Sequence, residues 1–251
     1  MSECAENVTS DGSWNSEQCD YWSNLTSLYD GLYQSRWSKL ENDWVSQKLR
    51  FLNAFSSPRI LDLGCGTGLG AMLSSRWAPL TSYVGVDISP TMAQRTAADF
   101  GVETHAGAMD NLAWASEESF DAVICLFSAA SFVHDPLRLF GEISRVLRPG
   151  GMAYVSTLGR AWRSSPREVR FRTRGHNDIT SVPAWRFRAA DLRELANKNG
   201  LHPVSIDHMN SLSGIYESPR LWRLGGLLAR TIPTTSHLVE ITSTKPRLEL
   251  V

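Results

Sequence analysis

No lysine occurs between Lys48 and Lys198, a gap that takes in the whole middle of the chain. A triphosphate-binding loop of the GxxxxGKS or GxxxxGKT kind needs a lysine for the β- and γ-phosphates, so that chemistry is excluded there. Cysteine is scarce: Cys4, Cys19, Cys65 and Cys125 are the four present, and no two of them form a CxxC pair. A disulfide framework is not expected in a chain this long, and thiols in a reducing, cytoplasmic setting are the simplest reading. No stretch approaches the roughly 20 apolar residues that span a bilayer. The polar, acidic start MSECAENVTSDGSWNSEQCD lacks the basic and apolar parts of a signal peptide. Excess charge of one sign is missing too, with 25 Lys and Arg against 26 Asp and Glu. No global field therefore draws nucleic acid or an anionic membrane, and neither partner is expected. No carboxylate or histidine cluster has ligand spacing, so no metal is expected.

What is there suits a large α/β domain. The chain has 251 residues, 42% of them hydrophobic and 20% charged, enough for a full core and too apolar for general disorder. Residues 1–18 read as a mobile tail. Helical spacing of Leu25, Leu28, Tyr29 and Leu32, then Leu40, Trp44, Leu49 and Leu52, predicts two helices before any strand. From residue 59 strands and helices alternate. RILDL, SYVGVD, VETHAG, FDAVICLF and MAYVSTL read as strands, and HPVSIDHM and HLVEITST as the last two. Between them SPTMAQRTAADF, DPLRLFGEISRVL and AADLRELANKNG read as helices, the first two opened by Ser89–Pro90 and Asp135–Pro136. Such alternation implies a Rossmann-like, mostly parallel sheet with helices on both faces.

The stretch RILDLGCGTGLG, residues 59–70, is the densest signal. Ligands of open α/β sheets sit at the carboxyl ends of the strands, and the first strand–turn–helix is the usual place. GTGLGA fits the GxGxxA form of a dinucleotide turn, which keeps an NAD-linked oxidoreductase as one alternative. DLGCGTG fits a different form, with a carboxylate, Asp62, two places before Gly64, Gly66 and Gly68. A carboxylate there suits a cationic amino group and is unhelpful beside a pyrophosphate. Asp87 closes the second strand, where it can accept from both ribose hydroxyls of an adenosine-containing cofactor.

With Asp62 to Gly68, Asp87, SFDAVICLF and EISRVLRPGG in order, the chain resembles class I S-adenosylmethionine-dependent methyltransferases of the small-molecule type. The resemblance covers about residues 20–245. It implies a seven-stranded sheet with the last strand antiparallel, in a single domain over 19–251. A helical lid is implied over 19–56 and a substrate-side insertion over 160–188. It implies S-adenosylmethionine as cofactor and S-adenosylhomocysteine as product. Asp62, Gly64, Cys65, Gly66 and Gly68 then line the methionine end, Asp87 holds the ribose and Ile88 lies on the adenine. Ala108 stands where the family often has an aspartate for the adenine amino group, with Met109 beside it. Leu126 offers its carbonyl to the cofactor, and Tyr29 lies at the tyrosine position of the lid helix.

The acceptor side is read from the segments after the fourth and fifth strands. In SAASFVHDP, Phe132 or Ser131 takes the place where many small-molecule members carry a histidine. The insertion GRAWRSSPREVRFRTRGHNDITSVPAWRFR holds eight arginines, Arg186 among them, against Glu168 and Asp178. Guanidinium forks match carboxylate or phosphate, which points to a polar or acidic acceptor, with secondary metabolism as the expected setting. His176 is the candidate general base, and Tyr216 and Glu217 are candidate acceptor contacts. The NPPY-type motif of nucleic-acid amino methylases is absent, and a monomer or homodimer is expected. A catalytically degenerate partner subunit that only binds the cofactor is the other alternative.

Overall fold

The apolar runs become strands buried on both faces, as a parallel sheet covered by helices requires. The computed structural model describes residues 12–159, 168–171, 181–209, 224–225, 227–228 and 238–247. In it β1 is Ile60–Leu63, β2 Tyr83–Asp87, β3 Glu103–Ala106, β4 Phe120–Cys125 and β5 Leu147–Leu158. They are followed by β6 (Glu168–Phe171), β7 (Val182–Trp185), β8 (His202–Met209) and β9 (Leu238–Thr244). Seven of these strands form one sheet in the order β3-β2-β1-β4-β5-β9-β8. The first five run parallel. Strand β9 lies between β5 and β8, antiparallel to both. This is the mostly parallel seven-stranded sheet, with its last strand antiparallel, expected from the sequence. The strand order reverses between β1 and β4, which opens a crevice at their carboxyl ends.

Helices cover both faces. One face carries α3 (Arg36–Lys48), α4 (Leu69–Ser74) and α5 (Pro90–Phe100); the other carries α6 (Pro136–Val146) and α7 (Ala189–Lys198). The caps read from sequence are made. Ser89 Oγ accepts from the Met92 amide, and Asp135 accepts from the amides of Leu137 and Arg138. Such caps each stabilise a helix by about 1 kcal/mol.

Three boundaries differ from expectation. Helix α1 spans Gly12–Leu25, so residues 12–18 are helix and not tail; a short α2, Tyr29–Leu32, comes after it. The reason is tertiary. Trp14 Nε1 donates to Phe132 O at 2.9 Å and Gln18 Nε2 to Pro183 O at 2.7 Å, tying the helix start to distant segments. Second, β5 begins at Leu147, so RPGG lies within the strand; Phe120 pairs with Leu147 and Ala122 with Met152, the register shift absorbing the extra residues. Third, the arginine-rich insertion holds an antiparallel pair, β6 with β7, that periodicity does not reveal. Cys19 also departs from the thiol reading: it is disulfide-bonded, whereas Cys65 and Cys125 are free and buried. Among the described residues no helix is long and apolar enough to cross a membrane.

Candidate active site

The glycine turn joins β1 to α4 and is held from several sides. The amides of Gly64 and Cys65 both donate to Val86 O, at 2.7 and 3.0 Å. Gly66 has a φ of 55° and its amide donates to Asp87 Oδ2 at 2.8 Å, while Thr96 Oγ1 donates to its carbonyl. A Cβ at Gly66 would meet nothing within 4 Å, so this backbone faces open space. At Gly70 a Cβ would strike the Asp62 carboxylate, so the close approach of helix and strand requires glycine.

Two buried carboxylates flank the turn. Asp62 Oδ2 accepts from the Tyr83 hydroxyl, and Asp62 Oδ1 is buried with no hydrogen-bond partner among the described residues. Burial pushes the Asp62 carboxyl up to about 7; the nearby Asp87 charge adds to this and the Tyr83 hydrogen bond opposes it. Asp87 accepts from the Gly66 amide and, through Oδ1, from the Ser89 amide at 2.9 Å. Burial raises it to about 6 against those two donors. An unsatisfied buried carboxylate oxygen is costly, and a cation placed against it removes that cost.

A cleft of about 870 Å³, its solvent-open mouth included, lies over the turn. Ten sequence-predicted residues line it: Tyr29, Asp62, Gly64, Cys65, Gly66, Asp87, Ile88, Met109, Leu126 and Phe132. Ala108 lines it as well. Gly68 is not in that lining; it faces the Phe100 ring. Ser131 is fully buried with its hydroxyl accepting from the Leu158 amide, and Arg186 is exposed beyond Trp185. His176, Tyr216 and Glu217 lie outside the described residues. The carbonyl of Leu126 accepts from the Ala129 amide at 3.0 Å, which leaves it a second lone pair.

Sequence reading missed Asn15, Gln18, Trp22 and Asp110, which also line the cleft. The first three sit at helical spacing on α1, a signal hidden because residues 12–18 read as tail. The N-terminal helices are tied to the sheet domain by polar groups. Asp30 accepts from Thr67 Oγ1 at 2.6 Å and from Arg95 Nη2 at 2.5 Å. Arg95 Nη1 donates to Thr26 O, and the hydroxyls of Ser23 and Ser89 share a hydrogen bond of 2.8 Å.

A cleft at a strand-order reversal, with a glycine turn and paired carboxylates, is the geometry of a ligand-binding α/β domain. Comparison with known proteins specifies its kind. Residues 61–155 match the family model described as a methyltransferase domain. The chain is 39% identical over 104 residues to the phthiotriol/phenolphthiotriol dimycocerosates methyltransferase of Mycobacterium leprae, covering 40% of this chain and 38% of that protein. It is 34% identical over 125 residues to a ubiquinone biosynthesis O-methyltransferase of Xanthomonas oryzae, covering 47% of this chain and 48% of the relative. The chain thus spans less than half the length of these curated relatives. Among solved structures, an S-adenosylmethionine-dependent methyltransferase from Mesorhizobium loti superposes with a TM-score of 0.58 at 20% identity, covering 79% of this chain and 96% of the other. Residues 61–155 are thus similar to a methyltransferase domain, as the motifs implied, and the likeness to the Mesorhizobium structure is one of fold.

Proposed function

We propose that the protein transfers a methyl group from S-adenosylmethionine to a small-molecule acceptor. The observation that carries this reading is the buried, unpartnered Asp62 Oδ1 beside the glycine turn. A cationic α-amino group is the ligand that oxygen lacks. Asp62 would hold that group together with the Leu126 carbonyl. Asp87 would accept from the ribose hydroxyls with the lone pairs that the Gly66 and Ser89 amides leave free. Ile88, Met109 and the Ala108 backbone would pack on the base. When bound, the cofactor supplies a sulfonium methyl that passes to the acceptor's nucleophile while the carbon–sulfur electron pair returns to sulfur. The chain's own contribution is alignment and exclusion of water, which the α1 roof provides.

The relatives' names support a small-molecule acceptor, and that of the Xanthomonas protein favours oxygen as the methylated atom. Asp62, beside the glycine turn, would repel a pyrophosphate, which disfavours the NAD-linked alternative. Calorimetry with S-adenosylhomocysteine, using NAD as control, tests the reading. Micromolar binding of the nucleoside with no heat from NAD is expected. Heat from NAD alone would overturn it.

A further inference from the structure

The acceptor half of the cleft has a chemistry of its own. The sheet order runs β3-β2-β1-β4-β5 across the crevice. Met109, Ile88, Asp87 and Asp62 therefore occupy the side from β3 to β1, where the cofactor is proposed to lie. Beyond β4 the wall is Phe132, met from above by Trp22 of α1. Their ring centroids are 5.0 Å apart at an interplanar angle of 82°, an edge-to-face pair, and Tyr29 lies against the other side of Trp22 at 6.2 Å.

These rings are held in place, and their donors are spent elsewhere. Trp22 Nε1 donates to Gln18 Oε1 at 3.0 Å, and Gln18 Nε2 donates to Pro183 O. What the pair presents to the cleft is carbon. One neutral polar group stands next to it: Asn15, on the same face of α1 by its spacing of three and seven residues from Gln18 and Trp22. Among the described residues its amide makes no hydrogen bond. The charged side chains of the described lining are Asp62, Asp87 and Asp110, all acidic; no lysine or arginine is among them. With Asp62 and Asp87 taken up by the cofactor, Asp110 is the remaining charged group of the described lining, and its sign disfavours an anionic acceptor.

We propose that the acceptor is a neutral aromatic small molecule whose ring packs on Trp22 and Phe132 and whose hydroxyl or carbonyl group is held by Asn15. This inference rests on the methyl-transfer reading and narrows the acceptor from the acidic compound that the arginine-rich insertion suggested.

The test uses the full chain saturated with S-adenosylhomocysteine, saturation being checked first by calorimetry. Equilibrium dialysis then compares three probes of one size: 2-naphthol, 2-naphthoate and 2-naphthylmethylammonium. Retention of 2-naphthol at least fivefold above both ions is expected. Trp22→Ala should lose that retention, Trp22→Phe should keep most of it, and Asn15→Ala should narrow the gap between 2-naphthol and naphthalene itself. Tighter binding of the carboxylate or the ammonium ion, no retention of any probe, or full retention by Trp22→Ala would overturn the inference. A protein that takes up no S-adenosylhomocysteine overturns the methyl-transfer reading and this one with it. A protein that takes it up and prefers 2-naphthoate overturns this one alone.

Discussion

Asp62 is expensive to the unliganded protein. Its carboxyl is raised in the fold, so the stability it contributes is complete at acidic pH and is lost as pH rises through about 7. Asp62→Asn keeps an acceptor for the Tyr83 hydroxyl and removes the buried charge. At pH 8, without cofactor, this variant should unfold about 2–6 °C higher than the parent, read by circular dichroism. The same variant should bind S-adenosylhomocysteine at least about 100-fold more weakly in calorimetry, since a charged hydrogen bond to a buried partner is lost. In the parent, affinity should fall as pH drops from 8 to 6, because the amino group needs the ionised carboxylate. A flat affinity profile would show that Asp62 does not meet the ligand. That Asp62 and Asp87 border the glycine turn was legible because strand ends and glycine spacing are local signals. The commitment of the Ser131 hydroxyl to the Leu158 amide was not, since the two residues meet only through tertiary packing.

Helices α1 and α2, the proposed lid, show why local pattern underreports an element. Helix α1 has few strong helix formers at its start and is anchored by Trp14 and Gln18 to carbonyls far away in the chain. Pairing of β6 with β7 is similar: four residues opposite four, in a stretch dominated by arginine and polar residues. By contrast α5 and α6 carry their own caps, and both starts were readable to the residue. The latch gives a prediction for the lid. Asp30 joins the lid to Thr67, inside the glycine turn, and to Arg95 on α5. Asp30→Ala should leave the fold intact, because both ends of the ion pair are part-exposed and such pairs add little to stability. It should speed release of S-adenosylhomocysteine about threefold or more, measured by stopped-flow competition, as charge-assisted bonds hold the closed lid. An unchanged off-rate would mean the lid does not gate the site.

Across the molecule the two ends of the fold meet at one buried acid. Trp44 of α3 donates through Nε1 to Glu240 of β9 at 3.0 Å, over 196 residues of sequence. Glu240 Oε1 makes no hydrogen bond of good geometry among the described residues, and burial raises this carboxyl above its usual range while Trp44 and the nearby Tyr154 hydroxyl oppose the shift. Lys48, one turn on, pairs with Asp207 of β8 at 2.6 Å. Glu240→Gln retains the acceptor for Trp44 and removes the charge. It should raise the unfolding midpoint at pH 8 by about 2–4 °C, with the advantage shrinking as pH falls toward 4. No gain at pH 8 would mean that Lys48 or water already compensates the carboxylate. The central strands were legible from their apolar runs and the antiparallel last strand from the resemblance, whereas the strand order and this contact between the first helices and the last strands were not.

The methyltransferase-domain match stops at residue 155, and that boundary divides the cleft as well as the sequence. Asp62, Gly66, Asp87 and Met109 lie inside it; Trp22, Asn15 and Tyr29 come from before it, and β7, which anchors Gln18, comes after. Phe132, inside the match, meets Trp22 from before it. On the proposed reading, donor handling and acceptor choice are written in separate stretches of chain that meet only on folding. An engineer could exchange residues 12–33 and the insertion for those of another member and inherit a new clientele while leaving the donor machinery untouched.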